Sequence, residues 1–303
     1  MDSVPAERRV SALMFPGQGV QRQGMGEDLF ERFPRLVDRA NDILGYSVRD
    51  LCLSDPAGRL SDSRFSQPAI YVVNALAYRA EGLRGDDFDV LLGHSLGEYN
   101  ALEAAGYIGF EAGLELVRAR AEATAKCSGA MLAVVGLELR RVHAVLRHAG
   151  LDEVETANVN SRFQTVLGGP DLDIGHARSA LVRAGARIAT RLPVTGAYHT
   201  RHMAAAIAPF SSATAAAPFR RGHTPVVANR TARPHDASLV RRDLVDHLTS
   251  PVLWQQSVEW ILDTHGDPDL PNEGVDFQEA GATRVLTRLV SHIRRDRGAP
   301  DHD

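Results

Sequence analysis

The sequence has few of the features that mark secreted, membrane-spanning or metal-binding proteins. Its two cysteines, Cys52 and Cys127, stand far apart and have neither metal-ligand nor CxxC spacing. We expect both to be reduced, inert thiols, as is usual in the cytosol. The N-terminus has no apolar signal segment, and no apolar run reaches the ~20 residues that a membrane span needs. These absences predict a cytoplasmic protein with no metal site and no membrane contact.

Positive charge is not in excess either, and Lys126 is the single lysine. The 303 residues carry a net charge of −4, which implies no basic surface of domain size and excludes a general role in binding nucleic acid. No internal repeat or low-complexity tract is present. A chain of this length forms one large domain or two modest ones.

The sequence does contain an alternation of strand and helix patterns. The segments "SALMFPGQG" and "VLLGHSLGEYNALEAAG" each begin as a buried strand and continue into a glycine-containing turn. Between them, "FSQPAIYVVNALAYRAEGL" has the apolar spacing of a helix after Pro68. This alternation predicts an α/β domain with a parallel sheet.

The pattern changes at about residue 129, where the order of predicted elements becomes βαββαβ. This order is typical of a ferredoxin-like unit. We predict that residues 129–195 form such a subdomain, inserted into a large domain made of residues 1–128 and 196–303. After the insertion we expect two helical pieces broken at Pro251, a last strand and helix, and a frayed tail over residues 294–303.

The most informative local motif is Gly93-His94-Ser95-Leu96-Gly97, which lies between a predicted strand and a predicted helix. G-x-S-x-G in this setting is the signature of a nucleophile elbow, a sharp turn that exposes the serine. The amides at the start of the helix would face Ser95. The alternative is a polar residue in a glycine-rich loop.

A nucleophilic serine needs a base, usually histidine. His199, in a loop after the predicted subdomain, is one candidate, and His202 is its rival because periodicity does not separate the two. His94 is expected to point away from the serine. Other histidines are expected on solvated surfaces: His143, His148, His176, His223, His265, His292 and His302.

Several blocks, in this order, resemble the malonyl-CoA:acyl-carrier-protein transacylases and the related acyltransferases of polyketide synthases. These blocks are "FPGQGVQRQGMG" (15–26), "GHSLGEY" (93–99), "LVRAR" (116–120), "VNSRFQTVLGG" (159–169), "GAYHT" (196–200), "SPVLW" (250–254) and "FQEAGATRVL" (277–286). The resemblance covers residues 10–293. It implies an α/β-hydrolase-like large domain with a ferredoxin-like small one.

The resemblance also implies a ping-pong transfer. An acyl group moves from a coenzyme A thioester to Ser95, and then to the phosphopantetheine thiol of an acyl carrier protein, with no permanently bound cofactor. It identifies His199 as the base, oriented by the main-chain carbonyl of His247, where many relatives have glutamine. The amides of Gln18 and Leu96 would form the oxyanion hole.

The resemblance further implies a set of substrate contacts. Arg120 would bind the free carboxylate of a malonyl group, a role for which a planar two-pronged donor is suited; the alternative is a surface arginine like Arg118. Ala121 stands where the family usually has glycine. Tyr198 is bulky and would favour malonyl over methylmalonyl; the alternative is that its hydroxyl serves an atypical acyl group. Other polar residues assigned to the cleft are Asn158, Asn160, Gln164, Asn229 and His247.

We therefore predict an acyl-CoA:carrier-protein acyltransferase for malonyl or a related acyl group, in polyketide or fatty acid synthesis. The start at Met1 favours a free-standing protein. Three alternatives remain: transfer of an unusual acyl or aminoacyl group between two carriers, hydrolysis of acyl carriers, and a catalytically idle docking subunit. Arg162, where relatives often have proline, is expected to be exposed, with a carrier or coenzyme contact as the alternative.

Overall fold

The structure is a computed structural model that describes residues 9–266 and 272–297. Its strands are β1 (Val10–Phe15), β2 (Val90–Gly93), β3 (Ala130–Val135), β4 (Glu155–Ser161), β5 (Gln164–Gly169), β6 (Ile188–Arg191), β7 (Val226–Ala228), β8 (Arg233–Pro234) and β9 (Val275–Glu279). Its helices are α1 (Glu27–Phe30), α2 (Pro34–Leu44), α3 (Val48–Leu53), α4 (Ser63–Ala80), α5 (Gly97–Ala104), α6 (Phe110–Thr124), α7 (Leu139–His148), α8 (Asp171–Arg183), α9 (Ala204–Ala216), α10 (Val240–Asp246), α11 (Trp254–His265) and α12 (Val285–Arg297).

The main sheet has the strand order β8-β7-β2-β1-β9. Strand β1 pairs in parallel with β2 and β9, β2 pairs in parallel with β7, and β8 is antiparallel at the edge. Successive residues of β1 face opposite sides, so that Leu13 and Phe15 enter one hydrophobic cluster while Ala12 and Met14 enter another. Because both faces are covered, the buried part of β1 from Ala12 to Phe15 and the whole of β2 have no polar side chain.

A second, antiparallel sheet has the strand order β4-β5-β3-β6. Its elements follow the chain order βαββαβ, which confirms the ferredoxin-like subdomain within an α/β fold. Leu132 and Val134 of β3 pack with residues of α7 and α8, whereas Met131 and Ala133 on the opposite face line the cleft described below. The limits at residues 129 and 195 stay a prediction.

The carboxyl ends of the parallel strands meet at one edge of the main sheet, where ligands of open α/β folds bind. Gln18 follows β1, Ser95 follows β2 and Asn229 follows β7. The topology therefore brings together three site residues that are far apart in the sequence.

Two expected boundaries were wrong. Helix α4 begins at Ser63, so that Pro68 lies inside it rather than before it. The helix tolerates the proline because most of its residues are buried and packing outweighs the lost hydrogen bond. Helix α12 continues through residues 294–297, which were expected to be frayed. The remainder of the predicted tail, with His302, lies outside the described residues.

The description of residues 9–266 and 272–297 includes no helix with the length and apolarity required to cross a membrane.

Candidate active site

Ser95 occupies a strained turn between β2 and α5. Its φ is +52°, in the left-handed region that residues other than glycine rarely adopt. The flanking glycines permit the turn, because a Cβ on Gly93 would lie 2.0 Å from the main chain of Gly97, and a Cβ on Gly97 would lie 2.0 Å from the carbonyl oxygen of Phe15. The G-x-S-x-G segment thus has the conformation of a nucleophile elbow.

His199 is the histidine that reaches Ser95. Its Nε2 lies 2.7 Å from the Ser95 Oγ, and its Nδ1 lies 3.0 Å from the main-chain oxygen of His247. A carbonyl only accepts, so Nδ1 carries the proton and leaves Nε2 free to accept the serine proton. The rival, His202, instead has Nε2 2.9 Å from the carbonyl oxygen of Glu153.

The environment of His199 favours the neutral imidazole. Burial lowers its pKa well below the usual value, and the nearby His247 and Arg120 lower it further. The residue as a whole is 4% exposed. A neutral histidine at ordinary pH is the form that can act as a base.

Two main-chain amides close to Ser95 have no hydrogen-bond partner among the described residues. Within the described residues, neither the N–H of Gln18 nor that of Leu96 donates a hydrogen bond. The two loops are in close contact, since a Cβ on Gly17 would lie 2.2 Å from the carbonyl oxygen of His94 and 3.4 Å from the amide nitrogen of Leu96. Free amides in this position can receive an oxyanion.

Arg120 of α6 is buried beside the nucleophile and is 3% exposed. Its Nη2 lies 3.4 Å from the Ser95 Oγ, and its Nη1 donates to Oε1 of Gln67 at 2.5 Å. No carboxylate among residues 9–266 and 272–297 forms an ion pair with it, in contrast to Arg118, which is half-exposed and faces Glu122. An unpaired buried cation is costly unless an anionic ligand binds it.

A cleft of about 320 Å³ opens in front of Ser95 and His199, between the two sheets. Gln18, Asn158, Asn160, Gln164 and Tyr198 line it, as the resemblance implied. Apolar residues of the small subdomain and of α12 complete the wall, namely Met131, Ala133, Val166, Leu192, Val194, Val285, Leu286 and Leu289.

His94 also lines the cleft, although it was expected to point away. Its Nε2 lies 2.9 Å from Oδ1 of Asn160, and its ring lies beside Trp254. Burial lowers its pKa to about 4, so it is neutral. In the described structure it has no hydrogen bond to Ser95 or His199.

Asn229 and His247 lie behind the cleft rather than on its wall. The Asn229 side chain accepts from the amide of Ser95 at 2.9 Å and donates to the carbonyl of Gly93 at 2.6 Å. His247 contributes its carbonyl to His199. Both residues therefore support Ser95 and His199 from behind.

Three residues that the sequence analysis did not single out complete the site. Gln67 contacts Arg120, and its buried Nε2 has no partner in the described structure. Glu98 is fully buried, with His235 beside it at 2.9 Å. The one local signal was the presence of polar residues in otherwise apolar stretches, "SQPAI" for Gln67 and "LGEYNAL" for Glu98.

The other positions discussed from the sequence, Arg162, Ala121 and the two cysteines, lie outside the contacts of Ser95 and His199 described above. Arg162 was expected to be exposed, but its side chain is only 22% exposed. Its Nε donates to Oε1 of Glu138 at 2.8 Å, which holds the side chain against the surface. Ala121 is fully buried. Cys52 and Cys127 are free and buried, and burial raises the pKa of both thiols, that of Cys52 to about 12. Over the described ranges, no group of three or more His, Cys, Asp or Glu residues could hold a metal ion.

The chain is similar to acyltransferases in both sequence and structure. Residues 13–267 match the family model described as the acyl transferase domain. The chain is 39% identical over 288 residues to the polyketide biosynthesis malonyl CoA-acyl carrier protein transacylase PksC of Bacillus subtilis. The aligned region covers 93% of this chain and 96% of PksC.

A second relative is much longer than this chain. Identity to the polyketide biosynthesis protein ThaF of Burkholderia thailandensis is 42% over 298 residues, which is 96% of this chain but 25% of ThaF. Among solved structures, a malonyl CoA-acyl carrier protein transacylase from Burkholderia pseudomallei matches with a TM-score of 0.90 at 39% identity, covering 97% of this chain and 100% of that one.

Proposed function

The chain belongs to the acyl transferase domain family, and from that premise we propose that it moves a malonyl group from coenzyme A to the phosphopantetheine thiol of an acyl carrier protein. PksC and the Burkholderia pseudomallei protein are both named as malonyl CoA-acyl carrier protein transacylases. Their similarity extends over nearly the whole of this chain, and the match to the family model, residues 13–267, spans the candidate site from Gln18 to His247.

One observation carries the choice of acyl group: the buried guanidinium of Arg120 faces the nucleophile and has no acidic partner in the described structure. An acyl group bound to Ser95 that ends in a carboxylate would supply the missing negative charge and accept two parallel hydrogen bonds. Malonyl is a short acyl group of this kind. An uncharged acyl group would leave the arginine buried and unpaired.

The first half-reaction acylates the serine. Oγ of Ser95 attacks the thioester carbonyl of malonyl-CoA while Nε2 of His199 accepts the hydroxyl proton. The amides of Gln18 and Leu96 stabilise the negative oxygen of the tetrahedral intermediate. The C–S bond then breaks, and the leaving coenzyme A sulfur takes the proton from His199.

The second half-reaction repeats these steps with the carrier. His199 accepts the proton of the phosphopantetheine thiol as its sulfur attacks the Ser95 ester. The C–Oγ bond breaks, and the proton returns from His199 to Ser95. Because one product leaves before the second substrate reacts, the kinetics are ping-pong.

The proposal needs no resident cofactor, because Ser95, His199 and the two thiols supply all the reacting groups. It places the protein in the cytoplasm, where it would supply a polyketide synthase with malonyl groups. The similarity to PksC, which is named for polyketide biosynthesis, favours this pathway over fatty acid synthesis.

The proposal is tested by incubating the protein with a panel of acyl-CoAs and measuring by mass spectrometry the group that is added to Ser95. We expect a malonyl adduct that is absent in Ser95→Ala and that is transferred to a phosphopantetheinylated carrier. Loading from an acyl carrier but from no CoA thioester would replace this proposal with carrier-to-carrier transfer. Release of free acid faster than transfer to any carrier would indicate a hydrolase.

A further inference from the structure

Glu98 is a buried carboxylate that the proposed chemistry does not use. It lies three residues after Ser95 on α5, and its side chain is 2% exposed. Burying an ionised carboxylate is costly unless it is paired and hydrogen-bonded. Its contacts therefore indicate what it does in the fold.

One carboxylate oxygen of Glu98 is connected to the nucleophile. Oε1 accepts from the main-chain N–H of Asn229 at 3.2 Å. The side chain of Asn229 in turn accepts from the amide of Ser95 and donates to the carbonyl of Gly93, so it spans the strained turn. Glu98 thus fixes the residue that holds the elbow.

The other carboxylate oxygen is connected to the base. Oε2 of Glu98 lies 3.2 Å from Nδ1 of His247, an electrostatic contact whose geometry is too bent for a hydrogen bond, and the main-chain oxygen of His247 accepts from Nδ1 of His199. The two histidine rings are also in contact, with centroids 4.4 Å apart and planes inclined by 31°. The Glu98 contact therefore fixes the loop that orients His199.

The charge of Glu98 is balanced by a buried histidine, His235. Nε2 of His235 lies 2.9 Å from Oε1 of Glu98, and Nδ1 of His235 lies 3.2 Å from Asp243, which is paired with Arg230. Burial raises the pKa of Glu98, but the contacts with His235 and His247 outweigh it and hold the pKa at about 2. At neutral pH Glu98 is ionised.

We propose that Glu98 is a positioning residue that holds Ser95 and His199 at bonding distance, through Asn229 on one side and His247 on the other. Ser95 and His199 are 104 positions apart in the sequence, and one carboxylate contacts both Asn229 and His247, the residues that hydrogen-bond to them. The identity of the transferred group rests on the proposed function, whereas the positioning role concerns the reactivity of Ser95 towards any electrophile.

The test measures Ser95 reactivity in the full chain by two methods. The first is the rate of labelling by a fluorophosphonate, which reports the Ser95–His199 pair without an acyl substrate. The second is kcat and KM for malonyl transfer to a carrier. Glu98→Gln is the test variant, because it preserves the shape but places an amide N–H against Nδ1 of His247.

Glu103→Gln is the matched control. Glu103 lies on the same helix, its side chain is 6% exposed, and it pairs with Arg79 rather than with any residue of the dyad. We expect Glu98→Gln to lower the labelling rate and kcat by between about 10-fold and 100-fold with KM for malonyl-CoA unchanged, as misplaced reacting groups do. Glu103→Gln should leave both rates unchanged, even where it lowers the melting temperature.

A second pair of variants tests the His247 arm and does not depend on Glu98 variants folding. His247→Gln keeps a side-chain donor for Glu98, and His247→Leu removes it, while both keep the main-chain carbonyl. We expect His247→Gln to label at nearly the wild-type rate and His247→Leu to label about 10-fold more slowly.

Equal labelling rates for folded Glu98→Gln and wild type, or for the two His247 variants, would overturn the positioning role. Failure of the proposed function gives a different result: wild-type protein would react with the fluorophosphonate but would not be loaded by malonyl-CoA. The two failures are therefore distinguishable.

Discussion

Nη2 of Arg120 lies 3.4 Å from the Oγ of Ser95, so that a buried guanidinium lies next to a partly buried hydroxyl. The separation is short enough that a group attached to Ser95 can reach the guanidinium with a carboxylate two or three bonds from its carbonyl. In the proposed reaction, the pair relates the choice of acyl group to the position of Ser95.

Replacing Arg120 should remove selection for an acidic acyl group. We expect Arg120→Ala to lower kcat/KM for malonyl-CoA on the order of 100-fold, since charged hydrogen bonds are lost, and to lower the rate with acetyl-CoA far less. Arg120→Lys should restore only part of the loss, because lysine lacks the two-pronged geometry. Competition between the two thioesters, read by mass spectrometry, checks this.

The control for that experiment is Arg118→Ala on the same helix, whose side chain is half-exposed. It should load malonyl at the wild-type rate. Unchanged malonyl loading in folded Arg120→Ala would refute the carboxylate contact.

The rate of Ser95 acylation should stay constant from pH 8 to pH 6.5. Burial lowers the pKa of His199 well below its usual value near 6.5, so the neutral base persists as pH falls and is lost only at lower pH. Single-turnover loading with malonyl-CoA between pH 5 and pH 8 measures the profile, with circular dichroism to verify folding. A rate that is already half-maximal at pH 6.5 would contradict this assignment.

His235 should make stability depend on alkaline pH. Burial lowers its pKa, but hydrogen bonds to Asp243 and Glu98 raise it to about 9. Because the pKa of His235 is raised in the folded state, the stabilisation from its charged form is fully present below about pH 6.5 and is lost as pH rises through 9. The free energy of unfolding should fall by an amount on the order of 3 kcal/mol over this range. Urea unfolding of wild type from pH 6 to pH 10 measures it.

In His235→Asn this decline should be absent. His176→Asn, which changes an exposed histidine, should keep the wild-type decline. If His235→Asn and wild type lose stability in parallel over this range, the charged state of His235 is wrong.

Tyr198 should limit the size of the acyl group through its volume. It lines the cleft beside His199 and is 5% exposed. We expect Tyr198→Ser to lower discrimination against methylmalonyl-CoA on the order of 10-fold, because one methyl group is typically worth about that much in a closed pocket. Tyr198→Phe should select as wild type does, as measured by the masses added to Ser95. An equal shift in Tyr198→Phe would assign the selection to the hydroxyl instead.

Features that depend on neighbouring residues could be predicted from the sequence. The elbow at Ser95 follows from two glycines that allow a sharp turn between a strand and a helix, and the βαββαβ order follows from successive apolar periods. The predicted start of α4 was wrong because Pro68 was taken as the boundary of the helix, whereas the burial of the surrounding residues allows the helix to continue through it. The end of α12 was also missed, because polarity alone does not end a helix.

The choice between His199 and His202 marks the limit of local reasoning. Both lie in one short polar segment, and only the resemblance separated them. In the structure His199 has a φ of +62°, a turn that directs its ring towards Ser95, whereas His202 faces Glu153. Backbone direction in a loop depends on the elements that the loop joins.

The sequence by itself determined the elbow and the order of the elements and, through the resemblance, predicted roles for Arg120 and His199. Only the tertiary structure decided that Gln67 meets Arg120 and that Glu98 bridges Asn229 and His247 with His235 beside it. Glu98 and His235 are 137 positions apart, and no local periodicity encodes such a pair. Such contacts form because the topology brings distant segments together at one edge of the sheet. A buried carboxylate such as Glu98 is tolerated only where these particular partners meet it, because an unpaired buried charge is costly.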